Sequence, residues 1–223
     1  MNQSLTYVST HKDTKPKLVS LQGTTIMKLY FSPNSPYARK VRVLILEREL
    51  SDQVELIEVS TTDPNGPLLS INPLGKVPAL ATSDDGVVHD SPVICEYLDG
   101  FTSTLSGKGR VIDLRDKCLA ATAQGILDAG YAARMEKQRP TELQWQQWND
   151  KQFQKIDRTL DQIEASAEKL PSEATIGAIG LACTLEWLQF RHAEGNWLAK
   201  RPLLNNWVSS FGERSSMLQT RPA

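Results

Sequence analysis

The sequence predicts two domains in series: a small α/β domain over residues 27–101 and an all-helical domain over residues 109–223. Three observations predict this. Strand-like and helix-like patterns alternate as far as Gly100. Beyond about residue 109 the apolar spacing stays helical, with no further strand-like run. Between the two regions, Gly100, Gly107 and Gly109 bracket Thr and Ser residues in a stretch that reads as a linker over 100–108.

Residues 1–26 are polar, without the apolar core of a signal peptide, and read as a flexible extension ahead of the fold, with Met27 a candidate initiator. Met27–Phe31 is a strand, broken by Ser32-Pro-Asn-Ser-Pro36. A helix then starts at Pro36, where a missing N–H costs nothing, with Ser35 as a good N-cap. Its apolar stripe is Val41, Leu44 and Ile45, which places Arg39, Lys40, Arg42, Glu47 and Arg48 mostly on the opposite side. Val54–Val59 is a second strand, completing a βαβ unit. Residues 60–76 are rich in Pro, Gly and Asn and read as a loop. Residues 77–82 and 86–89 are two further strands, and a helix opens at Ser91 with Ile94, Tyr97 and Leu98 on its buried face. The order βαβ then ββα is that of a thioredoxin-like domain of βαβββα type.

In the second half, Trp145, Trp148, Gln152, Ile156, Leu160, Ile163 and Ala167 recur at helical spacing and predict one long amphipathic helix. Residues 174–190 are apolar nearly all round, which suits a helix in the middle of a bundle. Trp145, Trp148, Trp187, Trp197 and Trp207 read as core or interdomain packing.

Bulk properties narrow the function. A formal net charge of −1 gives no electrostatic pull toward nucleic acid or an anionic membrane. No apolar run approaches the roughly 18–20 residues that span a bilayer. Cys95, Cys118 and Cys183 are far apart, an odd number without a Cys-x-x-Cys pair, so no disulfide framework is expected and a reducing cytoplasm is the expected location. His11, His89 and His192 are equally isolated, so no metal site is expected.

Three segments of the first half fall at one end of the predicted sheet. Ser32-Pro-Asn-Ser35-Pro-Tyr37 opens a helix whose free N–H groups and partial positive charge favour an anion, toward which Ser35 would point; its plainer role is a cap. Asn72-Pro-Leu-Gly-Lys-Val-Pro-Ala-Leu80 brings a proline into a strand, and a cis bond at Pro78 would turn the Val77 backbone outward to pair with an extended peptide. Asp90 and Ser91 stand where a strand ends and a helix begins, as caps or as ligand-binding groups.

Taken together, Ser35-Pro-Tyr-x-Arg-Lys-Val-Arg42, Asn72-Pro-Leu-Gly-Lys-Val-Pro-Ala-Leu80 and Asp90-Ser91-x-x-Ile94-x-x-Tyr97-Leu98 resemble the amino-terminal domain of the glutathione transferase superfamily. The segment Gly195-Asn-Trp-Leu-Ala-Lys-Arg-Pro-x-Leu-x-x-Trp207 resembles the carboxy-terminal end of bacterial members. The resemblance implies a thioredoxin-like domain, an all-helical domain and a homodimer with two sites. It implies that Val77, before cis Pro78, pairs with the cysteinyl unit of glutathione. Asp90 and Ser91 would hold the γ-glutamyl end, and Lys76 would reach the glycine carboxylate. Ser35 aligns with the catalytic serine, with Ser32 and Asn34 as near rivals; members with cysteine there tend toward thiol exchange. Tyr37, Tyr131, Arg134 and Met135 are the candidates for the electrophile pocket.

The implied reaction is attack of the glutathione thiolate on a small electrophile, as in detoxification, with glutathione as co-substrate and no further cofactor. The alternatives are a glutathione-dependent disulfide reductase or isomerase, and a non-enzymatic interaction module on the same fold. A free thiol with pKa near 8.5 is about 3 % thiolate at pH 7, and lowering it by about two units takes about 2.7 kcal/mol. A hydrogen bond to a charged group contributes roughly 1.5–3 kcal/mol and a helix N-terminus about 0.3–1, so one serine at one helix end is enough. Family members also start the central helix of the second domain with a Ser/Thr-x-x-Asp capping box. Here Thr175 is followed by Ala178, which predicts about 1 kcal/mol of lost stability, recoverable by Ala178→Asp.

Overall fold

The computed structural model describes residues 27–83, 86–105 and 113–222. The predicted extension over 1–26, and residues 106–108 of the predicted linker, lie outside them. The first domain contains β1 (Met27–Phe31), α1 (Pro36–Glu47), β2 (Val54–Glu58), α2 (Leu68–Ile71), β3 (Ala79–Ala81), β4 (Val87–Val88) and α3 (Ser91–Leu105). The second contains α4 (Leu114–Lys137), α5 (Gln146–Glu164), α6 (Ile176–Arg191), α7 (Pro202–Gly212) and α8 (Ser215–Gln219). This is a thioredoxin-like domain followed by an all-helical one. No helix among the described residues is long and apolar enough to cross a membrane.

The four strands form one mixed sheet in the order β2-β1-β3-β4. β1 runs parallel to β2, pairing Met27 with Val54 and Phe31 with Glu58. β3 runs antiparallel to β1, with Tyr30 opposite Ala79, and β4 antiparallel to β3, with Leu80 opposite Val88. That register fixes the site. The chain leaves β1 after Phe31, enters β3 before Ala79 and leaves β4 after Val88, all at the same end of the sheet.

Three expectations are corrected here. The turn-rich stretch holds a one-turn helix, α2, anchored by buried Leu68 and too short to show a period. Helix α3 runs on to Leu105, past the boundary at 101. Residues 145–167 are not one helix: Trp145 is an extended cap residue, 57 % exposed, and Ala167 sits in a separate 3-10 turn that continues the apolar spacing. Of the other tryptophans, Trp187 and Trp197 are core.

A single apolar core runs through both domains, from Leu29, Leu44 and Leu80 in the first to Leu127, Leu160 and Leu185 in the second. α6 is buried along most of its length and packs on both α4 and α1. Because α1 lies between the sheet and α6, the sequence expectation of a charged outer side fails there: Arg39 and Lys40 are buried. The Arg39 guanidinium donates to Glu186 at 2.5 Å and to the Met217 carbonyl at 3.2 Å. Lys40 Nζ donates to Gln124 at 2.6 Å.

The missing capping box is also corrected. Thr175 Oγ1 accepts from the Ala178 N–H at 3.1 Å, and Asp116 on α4 supplies the absent carboxylate. Asp116 accepts from the Thr175 hydroxyl and, at 3.0 Å, from the Gly177 N–H. A Cβ on Gly177 would collide with the Asp116 carboxylate and carbonyl, so glycine is what lets α4 reach the α6 start.

Candidate functional site

At the shared end of the sheet, Ser35 caps α1: its Oγ accepts from the Ala38 N–H at 3.2 Å, and its own N–H donates to the Ser32 carbonyl at 3.1 Å. Because Oγ is the acceptor in the cap, the serine O–H is left to donate outward. Ser32 serves the turn through its carbonyl, and Asn34 is exposed.

Facing this turn across the β1–β3 register is the loop before β3. The Val77–Pro78 bond is cis, and no backbone hydrogen bond within the chain engages Val77 among the described residues. Buried Asn72 shapes this loop. Its amide donates to the Lys76 carbonyl at 2.9 Å and its Oδ1 accepts from the Leu74 N–H at 3.1 Å. Gly75, at φ +62°, turns the chain between them. Lys76 itself is exposed. The third segment follows β4: Asp90 is exposed, its carbonyl accepts from the Ile94 N–H at 2.9 Å, and Ser91 is 1 % exposed at the start of α3. Asp90 lies close enough to Tyr37 and Lys40 for its charge to act on both.

The second domain closes the far side. Tyr37 and Tyr131 meet edge to face at 5.6 Å between ring centroids, and Tyr131 leans on Trp187 at 6.5 Å. Arg134 and Met135 follow on the next turn of α4, Met135 exposed. The four predicted pocket residues therefore lie on α1 and one stretch of α4.

A polar chain that sequence reasoning missed ties these elements together. Tyr37 Oη donates to Asp128 at 2.7 Å, and Gln124 donates to the same oxygen at 2.9 Å while accepting from Lys40. Both hydrogen bonds to Asp128 thus come from side chains, Tyr37 of the first domain and Gln124 of its own helix. Burial, and then the bond to Asp128, push the Tyr37 phenol well above its ordinary value, so it stays protonated and donates. Burial pushes the Lys40 ammonium down. Lys40, Gln124 and Asp128 also border an interdomain cavity of about 590 Å³ between α3 and α4.

The chain's own buried thiols are poor nucleophiles: burial pushes Cys95 up to about 12 and Cys183 up to about 11. No three His, Cys, Asp or Glu side chains converge among the described residues. What the arrangement offers is a hydroxyl donor at a helix N-terminus, an unpaired stretch of backbone, a carboxylate beside a second helix start, and an aromatic wall. It suits an extended anionic peptide whose reactive group sits against Ser35.

The chain is similar to known proteins over both of its domains. Residues 34–100 match the family model for the glutathione S-transferase N-terminal domain, and residues 146–209 the model for its C-terminal domain. The uncharacterized GST-like protein YibF of Escherichia coli (strain K12) is 31 % identical, over 88 % of this chain and 98 % of that protein. A crystal structure of a glutathione transferase family member from Pseudomonas fluorescens Pf-5, with bound glutathione, is 38 % identical. It superposes with a TM-score of 0.79, covering 88 % of this chain and 99 % of that one. A glutathione S-transferase from Methylobacillus flagellatus KT, solved with glutathione bound, is 33 % identical with a TM-score of 0.80, covering 88 % of this chain and 100 % of that one.

Proposed function

Because this chain belongs to the glutathione S-transferase family, we propose that it binds glutathione at the shared end of the sheet and activates its thiol through Ser35. The observation that carries the proposal is the Ser35 cap itself, whose Oγ accepts from Ala38 and so leaves its O–H free at the α1 N-terminus.

In the proposed complex, the cysteinyl unit of glutathione pairs with the Val77 backbone beside Pro78. The γ-glutamyl end meets Asp90 and Ser91, and Lys76 reaches the glycine carboxylate. The thiol proton leaves to solvent, and the thiolate is stabilised by the Ser35 O–H and the helix end. Its sulfur then forms a bond to an electrophilic carbon in the pocket of Tyr37, Tyr131, Arg134 and Met135, and a halide or similar group departs with the bonding electrons. Glutathione is a co-substrate here and no resident cofactor takes part. The proposal carries with it a cytoplasmic homodimer that removes reactive small molecules, the assembly and setting the resemblance implies.

A serine rather than a cysteine at position 35, together with buried thiols held protonated, favours conjugation over thiol exchange. The test is a glutathione-conjugation assay. Ser35→Ala is expected to lower kcat about 10- to 100-fold, the size of one lost hydrogen bond to a charge, while Asp90→Ala weakens glutathione binding. Equal rates for wild type and Ser35→Ala would remove Ser35 from the reaction.

A further inference from the structure

The far end of the aromatic wall carries charge that nothing within the described chain neutralises. Tyr131 and Arg134 are three residues apart on α4, so they share a face, and Trp187 and Arg191 share one on α6 by a spacing of four. Tyr131 leans on Trp187. The next rung along the two helices therefore sets Arg134 beside Arg191, and their charges act on one another.

Two guanidinium groups brought together would ordinarily share a carboxylate. The carboxylates near them are already engaged. Asp128 accepts from Tyr37 and Gln124, Glu136 accepts from Arg139 and the Trp145 N–H, and Glu194 pairs with Lys137. Neither Arg134 nor Arg191 makes an ion pair among the described residues; Arg191 lies over the Phe190 ring, 4.1 Å from its centroid. Burial, and then the Arg134 charge, lower the Arg191 pKa from its ordinary value.

The path from Ser35 to this pair has a definite chemical profile. From the Ser35 turn the edge-to-face rings of Tyr37 and Tyr131 come next, and Arg134 follows Tyr131 by three residues, about 4.5 Å along α4, with Arg191 on the neighbouring α6. A ligand that follows it is electrophilic at one end, flat and apolar in the middle, and anionic at the other end.

We propose that the electrophile accepted by this chain is an aryl or similarly flat compound carrying a carboxylate, and that Arg134 and Arg191 together bind that carboxylate. This rests on the conjugation reading above and narrows it to a substrate class. Guanidinium groups match a carboxylate with paired N–H donors, which gives orientation as well as attraction.

The test compares 4-chloro-3-nitrobenzoate with 4-chloro-3-nitrobenzamide. In both, the glutathione sulfur bonds to the ring carbon and chloride leaves with the electron pair. Each kcat/KM is divided by the uncatalysed rate to remove the difference in intrinsic reactivity. Wild type is expected to favour the carboxylate by about tenfold or more, chiefly through KM, which corresponds to one charge-assisted hydrogen bond. The double variant R134Q/R191Q brings that ratio to about one, and R134K/R191K keeps part of it. Melting temperatures of the variants check that the fold is retained. Calorimetry of the two preformed glutathione conjugates reads the same preference without turnover. Equal handling of the two compounds by wild type, or a preference that survives in R134Q/R191Q, overturns the inference and leaves conjugation standing. Failure to conjugate either compound while glutathione still binds with a lowered thiol pKa overturns the inference alone, and failure to bind glutathione overturns both.

Discussion

Capping and the proposed thiolate stabilisation would not compete at the Ser35 hydroxyl, because capping uses a lone pair and thiolate stabilisation would use the proton. His192 shows the same logic with a different outcome. It is 1 % exposed, and its Nε2 lies 2.9 Å from the Gly130 carbonyl, so the neutral ring must donate there. Its Nδ1 has no hydrogen-bond partner, and rings of Phe153 and Trp187 pack against it. Burial lowers its pKa; the Gly130 bond and Glu194 oppose this, while Lys137 and Arg134 reinforce it. The unfolded chain therefore takes up a proton near pH 6.5 that the folded chain resists, and stability falls as pH drops below about 6.5. Above that value both states are neutral and the residue contributes no pH dependence. Thermal unfolding from about pH 7.5 to about pH 5 should show a shallower loss of melting temperature in His192→Gln than in wild type. Parallel slopes would mean that His192 is protonated in the folded state as easily as in the unfolded one.

At the scale of elements, α6 depends on a group the local sequence does not contain. Asp116 sits in the first turn of α4 and closes the first turn of α6 as well, through Thr175 and Gly177. Two hydrogen bonds to a carboxylate at a helix start are worth roughly 1–3 kcal/mol together in a half-buried setting. Asp116→Ala should lower stability by about that amount in chemical unfolding. Ala178→Asp, which local reasoning favours, should give no gain, because a second carboxylate would crowd the first. A clear rise in melting temperature for Ala178→Asp would show that α6 begins uncapped. The strands, α1 and the three loop motifs were legible because their signals are short-range: proline, capping residues and alternation. Arg39, Lys40 and Asp116 were misread or overlooked because their partners lie 147, 84 and 59 residues away, beyond any periodicity argument. The candidate site itself was legible as three motifs, whereas the Lys40–Gln124–Asp128–Tyr37 chain that braces it was not.

At the scale of the whole molecule, α1 is the piece shared by both domains. Its start carries Ser35, its middle fastens to α4 and α6 through Lys40 and Arg39, and its end fastens to the last helices, with Glu47 accepting from Arg214 at 3.1 Å. The second domain therefore sets the orientation of the helix whose N-terminus faces the proposed thiolate. Removing one partner of a buried pair such as Arg39–Glu186 is costly, about 3–5 kcal/mol in comparable cases, because the other charge stays buried. The ultraviolet absorbance of the bound thiolate, followed against pH in wild type and Ser35→Ala with glutathione saturating, reads the proposed chemistry without any electrophile. Wild type should show a thiol pKa about two units below the free value near 8.5, and Ser35→Ala should return it by one to two units. The same pKa in both proteins would mean that Ser35 is only a helix cap.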